Sequence, residues 1–288
     1  MSGTNMNHMF DYHIHTTNSS DGRSTMAEIC QSAYDRGLKE IAITDHFEPS
    51  KEDENCSSYK PEMYFQELDK AKQRFRGRLI IKAGVELGQP HLFKESTDRL
   101  INNYDYDYIL ASAHKLPNGL DVSQLDYRRL ELDDVYNIYL AQLERLALYG
   151  QFDCVGHLDL IKRYCNSYYD ERITLCKKED QLAAVLVKLI DKGKGIEINT
   201  SGLRQGPKET MPGIDVLKLY RKLGGEILTV GSDSHHKDDV GKGIADAVEL
   251  ALEAGFRYLT VFTERVPEWK RISLDRGIYS ISSQLNIS

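Results

Sequence analysis

Apolar residues follow two alternating patterns along the chain. Short continuous apolar runs, such as 41–44, are typical of strands buried on both faces of a parallel sheet. Between such runs apolar residues recur at helical spacing, as they do at Met26, Ile29, Cys30 and Ala33. The alternation predicts strand–helix units repeated along the sequence.

Each predicted strand is a short apolar run, and each predicted helix is a longer amphipathic segment. The strands are 10–15, 41–44, 79–86, 108–112, 153–156, 195–198, 226–230 and a final run at 258–262. The helices are 25–37, 63–75, 97–102, 132–149, 181–192, 213–223 and 242–254. This order favours a (β/α) barrel of seven or eight strands over a sandwich.

The length fits one domain, since a single barrel commonly takes about 250 residues. We therefore expect one domain spanning 1–288. A polar stretch at 50–60 reads as a long insertion after the second strand. It is either a lid over the site or a solvated loop.

The strand endings carry the main chemical signal. Seven apolar runs end on His, Asp, Glu or Asn, and all except the sixth supply a residue suited to binding a divalent metal. The endings are His13 with His15, Asp45 with His46, Glu86, His114, His157, Glu197 with Asn199, and Asp233 with His235. Parallel barrel strands deliver their C-terminal ends to one rim, so these residues would converge there. Any one of them alone is equally explained as a buried core histidine or a solvated acid.

Charge and cysteine content narrow the function further. The net charge of −7 provides no basic field for nucleic acid, so no nucleic-acid partner is expected. Five cysteines without a C-x-x-C pair argue against a disulfide framework or a zinc finger. The polar segment 1–9 is no secretion signal, and no run approaches the ~20 apolar residues of a membrane span. We expect a cytoplasmic protein with no membrane partner and leave the oligomeric state open.

Six short motifs, in order along the chain, resemble those of a known family. They are Asp11-Tyr12-His13-Ile14-His15-Thr16, Ile43-Thr44-Asp45-His46, Gly84-Val85-Glu86, Ser112-Ala113-His114, Gly156-His157 and Gly231-Ser232-Asp233-Ser234-His235. The chain is thereby similar to the PHP (polymerase and histidinol phosphatase) superfamily. The resemblance implies a distorted (β/α)7 TIM-like barrel with three divalent metal ions, either Zn, Fe or Mn.

The resemblance also implies which residues bind each metal. The first metal would be held by His13, His15, Glu86 and Asp233, with Glu86 bridging to a second metal completed by His114 and His157. The third would be held by Asp21, His46 and His235. Many family members have histidine where this chain has Asp21, and the harder oxygen ligand favours Mn or Fe over Zn there.

Two arginines follow strand endings, where a guanidinium can clamp a phosphate. Arg163 lies six residues after His157, and Arg204 lies just past the sixth strand. A surface role is the alternative for each. The segment 196–204 resembles the histidinol-phosphatase branch of the family, which favours the phosphate role.

Other candidates on the rim have weaker support. His91 follows the third strand and is a candidate substrate contact, although a packing role is the simpler interpretation. Asp233 or His235 is expected to handle protons, and Asp45 to orient a histidine. Lys115 is a further rim residue.

These observations predict a phosphomonoesterase that hydrolyses L-histidinol phosphate in histidine biosynthesis. A hydroxide supplied by bound metal would attack phosphorus, and metals with arginines would neutralise the developing charge. One alternative is a PHP-type phosphoesterase acting on another small phosphate, a phosphopeptide or a nucleotide. A different class, a metal-binding protein without catalysis, disagrees with the retention of all nine ligand-type residues.

Overall fold

A parallel sheet forms the centre of the protein. The computed structural model describes residues 9–49, 59–275 and 278–282. The parallel strands are β1 (Phe10–Asp11), β2 (Glu40–Ile43), β3 (His46–Phe47), β4 (Ile80–Gly88), β5 (Tyr108–Ser112), β6 (Cys154–Val155), β7 (Gly195–Asn199) and β8 (Leu228–Gly231). Their order is β1-β2-β4-β5-β6-β7-β8, and the short β3 also pairs with β4.

The segment after β1 brings the two ends of this sheet together. Tyr12 N–H donates to the Val230 carbonyl at 2.9 Å, and Asp233 N–H donates to the His13 carbonyl at 2.8 Å. A parallel bridge joins Ile14 to Ser234. The sheet is therefore a nearly closed barrel, as predicted. The predicted first strand at 10–15 is too long, because the β1–β2 ladder ends at Asp11. Beyond it, Tyr12 and His15 donate to the β8 side, while the Ile14 carbonyl accepts from Thr44 N–H on the other side.

Helices surround this barrel and follow most of the predicted positions. They are α1 (Met26–Asp35), α2 (Pro61–Arg74), α3 (Lys94–Asn103), α4 (Leu132–Tyr149), α5 (Ile161–Cys165), α6 (Glu179–Asp191), α7 (Ser201–Arg204), α8 (Ile214–Lys222) and α9 (Ile244–Glu253). A capping box between Thr25 and Glu28 starts α1. The short α5 and α7 were not predicted, since neither is long enough to show a helical repeat of apolar residues.

The final predicted strand exists but does not join the barrel. β9 (Tyr258–Thr263) pairs with β10 (Val266–Asp275), which pairs with β11 (Ile278–Ser282), in a separate antiparallel sheet. The turn between β9 and β10 uses Glu264 and Arg265 at φ 51° and 64°, so the chain reverses at once. Because the chain reverses directly after β9, this strand pairs antiparallel with β10 and is not part of the parallel sheet.

The β9–β10 turn lies at the end of the barrel opposite the ligand-bearing rim. Arg265 Nη2 lies 3.0 Å from the Asp153 carboxylate, and Arg265 N–H donates to the Asp107 carbonyl at 2.9 Å. Asp107 and Asp153 immediately precede β5 and β6. The hairpin therefore attaches to the N-terminal end of the strands.

Two further predictions concern the insertion at 50–60 and the absence of a membrane span. Of the insertion at 50–60, residues 50–58 lie outside the described residues, so a lid remains a hypothesis. Among the described helices, none combines the length and apolar character needed to cross a membrane.

Candidate metal centre

The segment that closes the barrel delivers the first two histidines. His13 and His15 are both fully buried, and their Nε2 atoms lie 3.0 Å apart. Asp233, from the end of β8, places Oδ1 3.5 Å from His15 Nε2 and 3.7 Å from His13 Nε2. Two strand ends thus supply one compact His–His–Asp group.

Glu86, near the end of β4, lies at the middle of the cluster and is fully buried. Its Oε2 lies 3.3 Å from His13 Nε2 and 2.9 Å from His46 Nδ1. Its Oε1 lies 3.2 Å from His114 Nε2 and 3.0 Å from His157 Nε2. Each oxygen faces a different set of histidines, which is the arrangement expected of a bridging carboxylate.

Asp21 joins the cluster from the turn before α1. Its Oδ2 lies 3.0 Å from His235 Nε2 and 3.5 Å from His46 Nε2. The rings of His46 and His235 each stack on His15, with centroids 4.2 Å away. His15 therefore stands between the group around Asp21 and the group around His13.

All nine predicted ligands thus lie in one cluster. Eight of them form overlapping groups, within each of which the ligand atoms all lie within 4.8 Å of one another. Asp21 belongs to none of these groups and joins the cluster through its contacts with His46 and His235. The groups are His13–His15–Asp233, His13–Glu86–His157, His46–Glu86–His114 and His15–His46–His235. Three of these groups cross the predicted ligand sets, because His15 also lies with His46 and His235, His46 lies with Glu86 and His114, and His13 lies with Glu86 and His157.

Two carboxylates to which the sequence analysis assigned no role contact the Nδ1 atoms of His13 and His114, on the side of each ring away from Nε2. Glu197 Oε1 lies 2.7 Å from His13 Nδ1, and Glu48 Oε1 lies 2.6 Å from His114 Nδ1. Glu48 stands two residues after His46, and Glu197 belongs to the sixth strand ending, so both positions continue the strand-end pattern. A carboxylate on Nδ1 is the usual partner of a metal-binding histidine.

These contacts provide a test of whether the residues fit a metal. A carboxylate beside Nδ1 fixes an N–H there, so in the neutral rings the Nε2 atoms of His13 and His114 carry the lone pairs that a metal would bind. Those lone pairs point at further acceptors, since His13 Nε2 faces the Glu86 carboxylate and His114 Nε2 lies 3.5 Å from His157 Nε2. A buried convergence of imidazoles and carboxylates needs positive charge, which either protons on the rings or bound metal ions supply, and this donor set suits Zn, Fe or Mn.

The electrostatics of the carboxylates agree with a cationic site. Burial opposes charge on Glu86, but the surrounding His46, His13 and His114 hold its pKa well below the usual range. Burial likewise opposes charge on Asp233, whose pKa is nevertheless held well below the usual range by His13, His15 and Arg163. Both carboxylates are therefore anionic at neutral pH.

Asp45 acts on the site through neighbouring side chains. It accepts hydrogen bonds from Thr16 N–H at 2.6 Å and from the Ser19 hydroxyl at 2.8 Å. The Ser19 hydroxyl in turn accepts a hydrogen bond from the backbone N–H of His46 at 2.9 Å. Burial raises the pKa of Asp45 to about 6. The prediction that Asp45 orients a histidine thus has a structural route, through Ser19.

A cleft of about 170 Å³ opens onto the cluster. Its lining residues are Asp21, His46, Glu48, His114, Asp121, His157, Leu160, Arg163, Tyr164, Asp233 and His235. Arg163 lies on this wall as predicted, and its Nη2 donates to Asp233 Oδ2 at 2.9 Å and to the Ser201 hydroxyl at 2.8 Å. Asp121, Leu160 and Tyr164 were not predicted, because they lie on loops and on the short α5 rather than at strand ends.

Three predicted rim residues do not line this cleft. Arg204 Nη2 donates to the Ser232 carbonyl at 2.7 Å, one residue before Asp233. His91 is buried with its Nε2 3.5 Å from Gln142 Oε1 on α4, which is the packing alternative. Lys115 lines a separate, neighbouring groove. Contact of Arg204 or His91 with substrate therefore stays a prediction.

Comparison with known proteins agrees with this site. A family model for the PHP domain matches residues 11–201. The chain belongs to the PHP domain family. This PHP-family protein is 30% identical to the histidinol-phosphatase of Lactococcus lactis subsp. lactis over 88% of its own length and 94% of that protein. It is 31% identical to a probable histidinol-phosphatase of Clostridium acetobutylicum, over 84% of its own length and 92% of that protein.

A solved structure shows a similar fold with ligands bound. The Lactococcus lactis histidinol phosphate phosphatase was crystallised in complex with zinc, L-histidinol and phosphate. It superimposes on this PHP-family protein with a TM-score of 0.82 at 27% identity, covering 90% of this chain and 98% of that one. The structural similarity therefore extends over the whole barrel.

Proposed function

We propose that this protein is a histidinol-phosphatase, a metal-dependent phosphomonoesterase that converts L-histidinol phosphate to L-histidinol and phosphate. The observation that carries the proposal is a cluster of ligand-type residues, eight in overlapping groups and Asp21 beside two of them, that opens onto a cleft also lined by Arg163. The Lactococcus lactis relative, which covers nearly the same length, binds zinc, L-histidinol and phosphate. Histidine biosynthesis is the proposed role.

Three metal positions are proposed. His13, His15, Glu86 and Asp233 would hold the first ion. Glu86, His114 and His157 would hold the second, and Asp21, His46 and His235 the third. The close approach of Asp21 Oδ2 to both His46 and His235 supports its place in the third position. The oxygen ligand there favours Mn or Fe, whereas the histidine-rich second position suits Zn.

Metal ions in these positions would polarise the phosphoryl oxygens and supply a hydroxide nucleophile at neutral pH. Arg163 adds a fixed positive charge on the wall of the cleft, where its guanidinium can bind two phosphoryl oxygens. Asp233 holds Arg163 Nη2 in place and keeps its own negative charge, as its lowered pKa indicates.

The leaving alkoxide of the substrate needs a proton. His235 lines the cleft with part of its side chain exposed, and its Nε2 faces Asp21 Oδ2. Asp233, the other predicted candidate for proton handling, is buried beneath the cleft and anionic, so it could accept a proton from the attacking water but carries none for the leaving alkoxide. Arg204 would act indirectly, by holding the Ser232 carbonyl and so the strand end that carries Asp233.

The cytoplasm is the proposed compartment. The described cysteines Cys30, Cys154, Cys165 and Cys176 are all free in the structure. Burial raises the pKa of the Cys30 and Cys165 thiols to about 12, so these groups stay protonated and unreactive. Free thiols of this kind are typical of a reducing compartment.

The test is a steady-state assay of purified protein reconstituted with Zn, Mn or Fe. We expect turnover of L-histidinol phosphate that stops when a chelator removes the metal and returns when metal is added back. kcat/KM for L-histidinol phosphate should exceed that for p-nitrophenyl phosphate, a nucleoside monophosphate and a phosphotyrosine peptide.

Two results would contradict the proposal at different levels. Equal or better turnover of another phosphate would assign the site to a different phosphoesterase. No turnover of any phosphomonoester with any of the metals would leave a metal-binding protein without catalysis.

A further inference from the structure

Gln89, directly after β4, has a backbone conformation that its sequence does not favour. Its φ is 36°, in the left-handed region that favours glycine, and Pro90 follows it. Residues before proline favour an extended backbone, with φ of about −120°. A side chain persists in such a conformation only where its surroundings hold it there, and such residues concentrate at functional sites. The side chain of Gln89 therefore has a role that glycine would not fill.

The side chain of Gln89 is fully buried and uses both ends of its amide. Its Oε1 accepts the backbone N–H of His114 at 3.0 Å and that of Lys115 at 2.9 Å. Its Nε2 donates to Glu48 Oε2 at 2.5 Å. Because two backbone donors face Oε1, the amide has one orientation, in which Nε2 faces the carboxylate. Gln89 thus joins the segment after β3 to the segment after β5.

The Glu48 carboxylate lies directly over the backbone at the end of β4. A Cβ at Gly88 would be 2.0 Å from both of its oxygens, so the carboxylate occupies the space that a side chain there would take. Its Oε2 is bonded to Gln89, and its Oε1 lies 2.6 Å from His114 Nδ1. One oxygen therefore fixes the carboxylate in place, and the other holds the imidazole.

These contacts set the orientation of the His114 imidazole. A carboxylate at Nδ1 holds the N–H of the neutral ring there and leaves the lone pair on Nε2. That atom lies 3.2 Å from Glu86 Oε1 and 3.5 Å from His157 Nε2, which belong to the other proposed ligands of the second metal. Since Gln89 also binds the backbone N–H of His114, both the ring and the backbone of this ligand depend on one glutamine.

We infer that Gln89 is a positioning residue that acts through Glu48 to hold the His114 imidazole towards the second metal position. The inference rests on the metal positions of the proposed function. It goes beyond them by assigning a role to a residue that is not among the proposed ligands. It also accounts for the backbone of Gln89, because a glycine in this turn would have no amide to place between the carboxylate and the segment after β5.

The test compares two substitutions in the metal-loaded protein. Gln89→Met keeps the length of the side chain and removes both hydrogen-bonding ends, so it separates hydrogen bonding from packing. Gln89→Gly removes the side chain and relieves the backbone conformation. A residue that served only the turn would be replaced by glycine without loss.

Competition with a chelator of known affinity measures the binding of Zn and of Mn. Both variants should bind one of the ions about tenfold more weakly, at the lower end of the effect of residues that support a ligand. The affinities of the other ions should stay the same. Combining Glu48→Ala with Gln89→Met should weaken binding by less than the product of the two separate factors, because both substitutions remove the same contact.

Two matched controls are available in the same chain. Gln142→Met changes another buried glutamine, whose amide contacts His91 and none of the nine proposed ligands among the described residues. Lys208→Gly changes an exposed residue that also has a positive φ, of 58°. Both controls should leave every metal affinity unchanged.

Three results would overturn the inference. Unchanged metal affinity in Gln89→Gly would show that the residue serves the turn alone. Separate factors that multiply in the double variant would show that Gln89 does not act through Glu48. Equal weakening of every ion, with lower thermal stability of the chelator-treated protein, would show a general loosening of the fold.

Metal binding is the readout, so the inference and the proposed activity can fail separately. The expected differences in affinity in a protein that hydrolyses no phosphomonoester would support the inference and contradict the proposed function. Unchanged affinities in an active enzyme would contradict the inference alone.

Discussion

The carboxylate of Glu197 lies 2.7 Å from Nδ1 of His13 and also accepts the backbone N–H of His157 at 2.9 Å. One residue of β7 therefore fixes a side chain from the first proposed metal position and the backbone of a ligand from the second. The contact also explains why the sixth strand ending belongs to the site although it supplies no proposed ligand.

Glu197→Gln should weaken metal binding while the barrel stays folded. Glutamine keeps an oxygen for the His13 N–H but loses the negative charge that raises the basicity of the ring. Such partners typically change metal affinity by about 10- to 100-fold. Competition with a chelator of known affinity measures the effect, with Glu144→Gln, an exposed residue paired with Lys188, as control. Equal metal affinity in all three proteins would remove Glu197 from the supporting role.

Gly231→Ala tests whether the contact between Glu197 and His13 depends on the absence of a side chain at position 231. A Cβ at Gly231 would lie 2.2 Å from Glu197 Oε1 and 2.3 Å from His13 Cβ, closer than any tolerated contact. We expect lower metal content and lower thermal stability together, because the clash separates the two residues that the hydrogen bond joins. Gly206→Ala is the matched control, since a Cβ there meets only the Arg163 carbonyl at 3.4 Å. A fully active Gly231→Ala protein with normal metal content would contradict the described packing.

Arg163→Lys should lower kcat/KM for the phosphomonoester by about ten- to a hundredfold, the size of a charge-assisted hydrogen bond. Lysine keeps the charge but loses the planar fork that bonds Asp233, Ser201 and a phosphate together. Arg172→Lys, on the surface beside Asp215, should leave kcat/KM unchanged.

Arg204→Lys distinguishes the two predicted arginines in the same assay. Because Arg204 bonds the Ser232 carbonyl and does not line the cleft, its substitution should have the smaller effect. A larger loss in Arg204→Lys than in Arg163→Lys would reverse the assignment.

His91 should make the metal-free protein less stable in mild acid. Burial lowers the pKa of His91 from 6.5 to about 4. Between these two values the unfolded chain binds a proton that the folded protein does not, so stability falls as the pH decreases from about 6.5 to about 4. His91→Gln removes this contribution. Urea unfolding in the presence of a chelator should therefore show a smaller drop in the free energy of unfolding from pH 7 to pH 5 for the variant. A parallel drop in both proteins would show that His91 is not held neutral.

Much of the fold could be predicted because its strands are buried on both faces. Continuous apolar runs separated by amphipathic helices have few solutions other than a parallel barrel. The C-terminal hairpin was missed because its turn carries no glycine or asparagine. Glu264 and Arg265 adopt positive φ and are held by tertiary contacts with Asp107 and Asp153. The local sequence around the turn does not indicate these contacts.

Some residues of the site could likewise be predicted from the local sequence, whereas the role of others depends on tertiary packing. Eight of the nine proposed ligands stand at strand ends, so their convergence follows from the barrel alone. Asp21 lies in the turn before α1 and was predicted only from the resemblance to the family. Glu48 and Glu197 were not assigned because their role depends on which ring nitrogen each histidine presents, which only the packed structure decides. The cleft residues Asp121 and Tyr164 lie in a connecting loop and on the five-residue α5, where no repeating apolar period indicates which way a side chain points.

Glu86 divides its two oxygens between separate sets of histidines, and this has a consequence for metal selection. If ions bound to both sets, an ion that pulled the carboxylate towards one set would change the bond length available to the ion in the other set. We therefore expect the protein to discriminate among pairs of ions rather than among single ions. Reconstitution with two-metal mixtures should then give activities that are not weighted averages of the single-metal values. In a cell, the ratio in which two metals are supplied would set the specific activity of the enzyme.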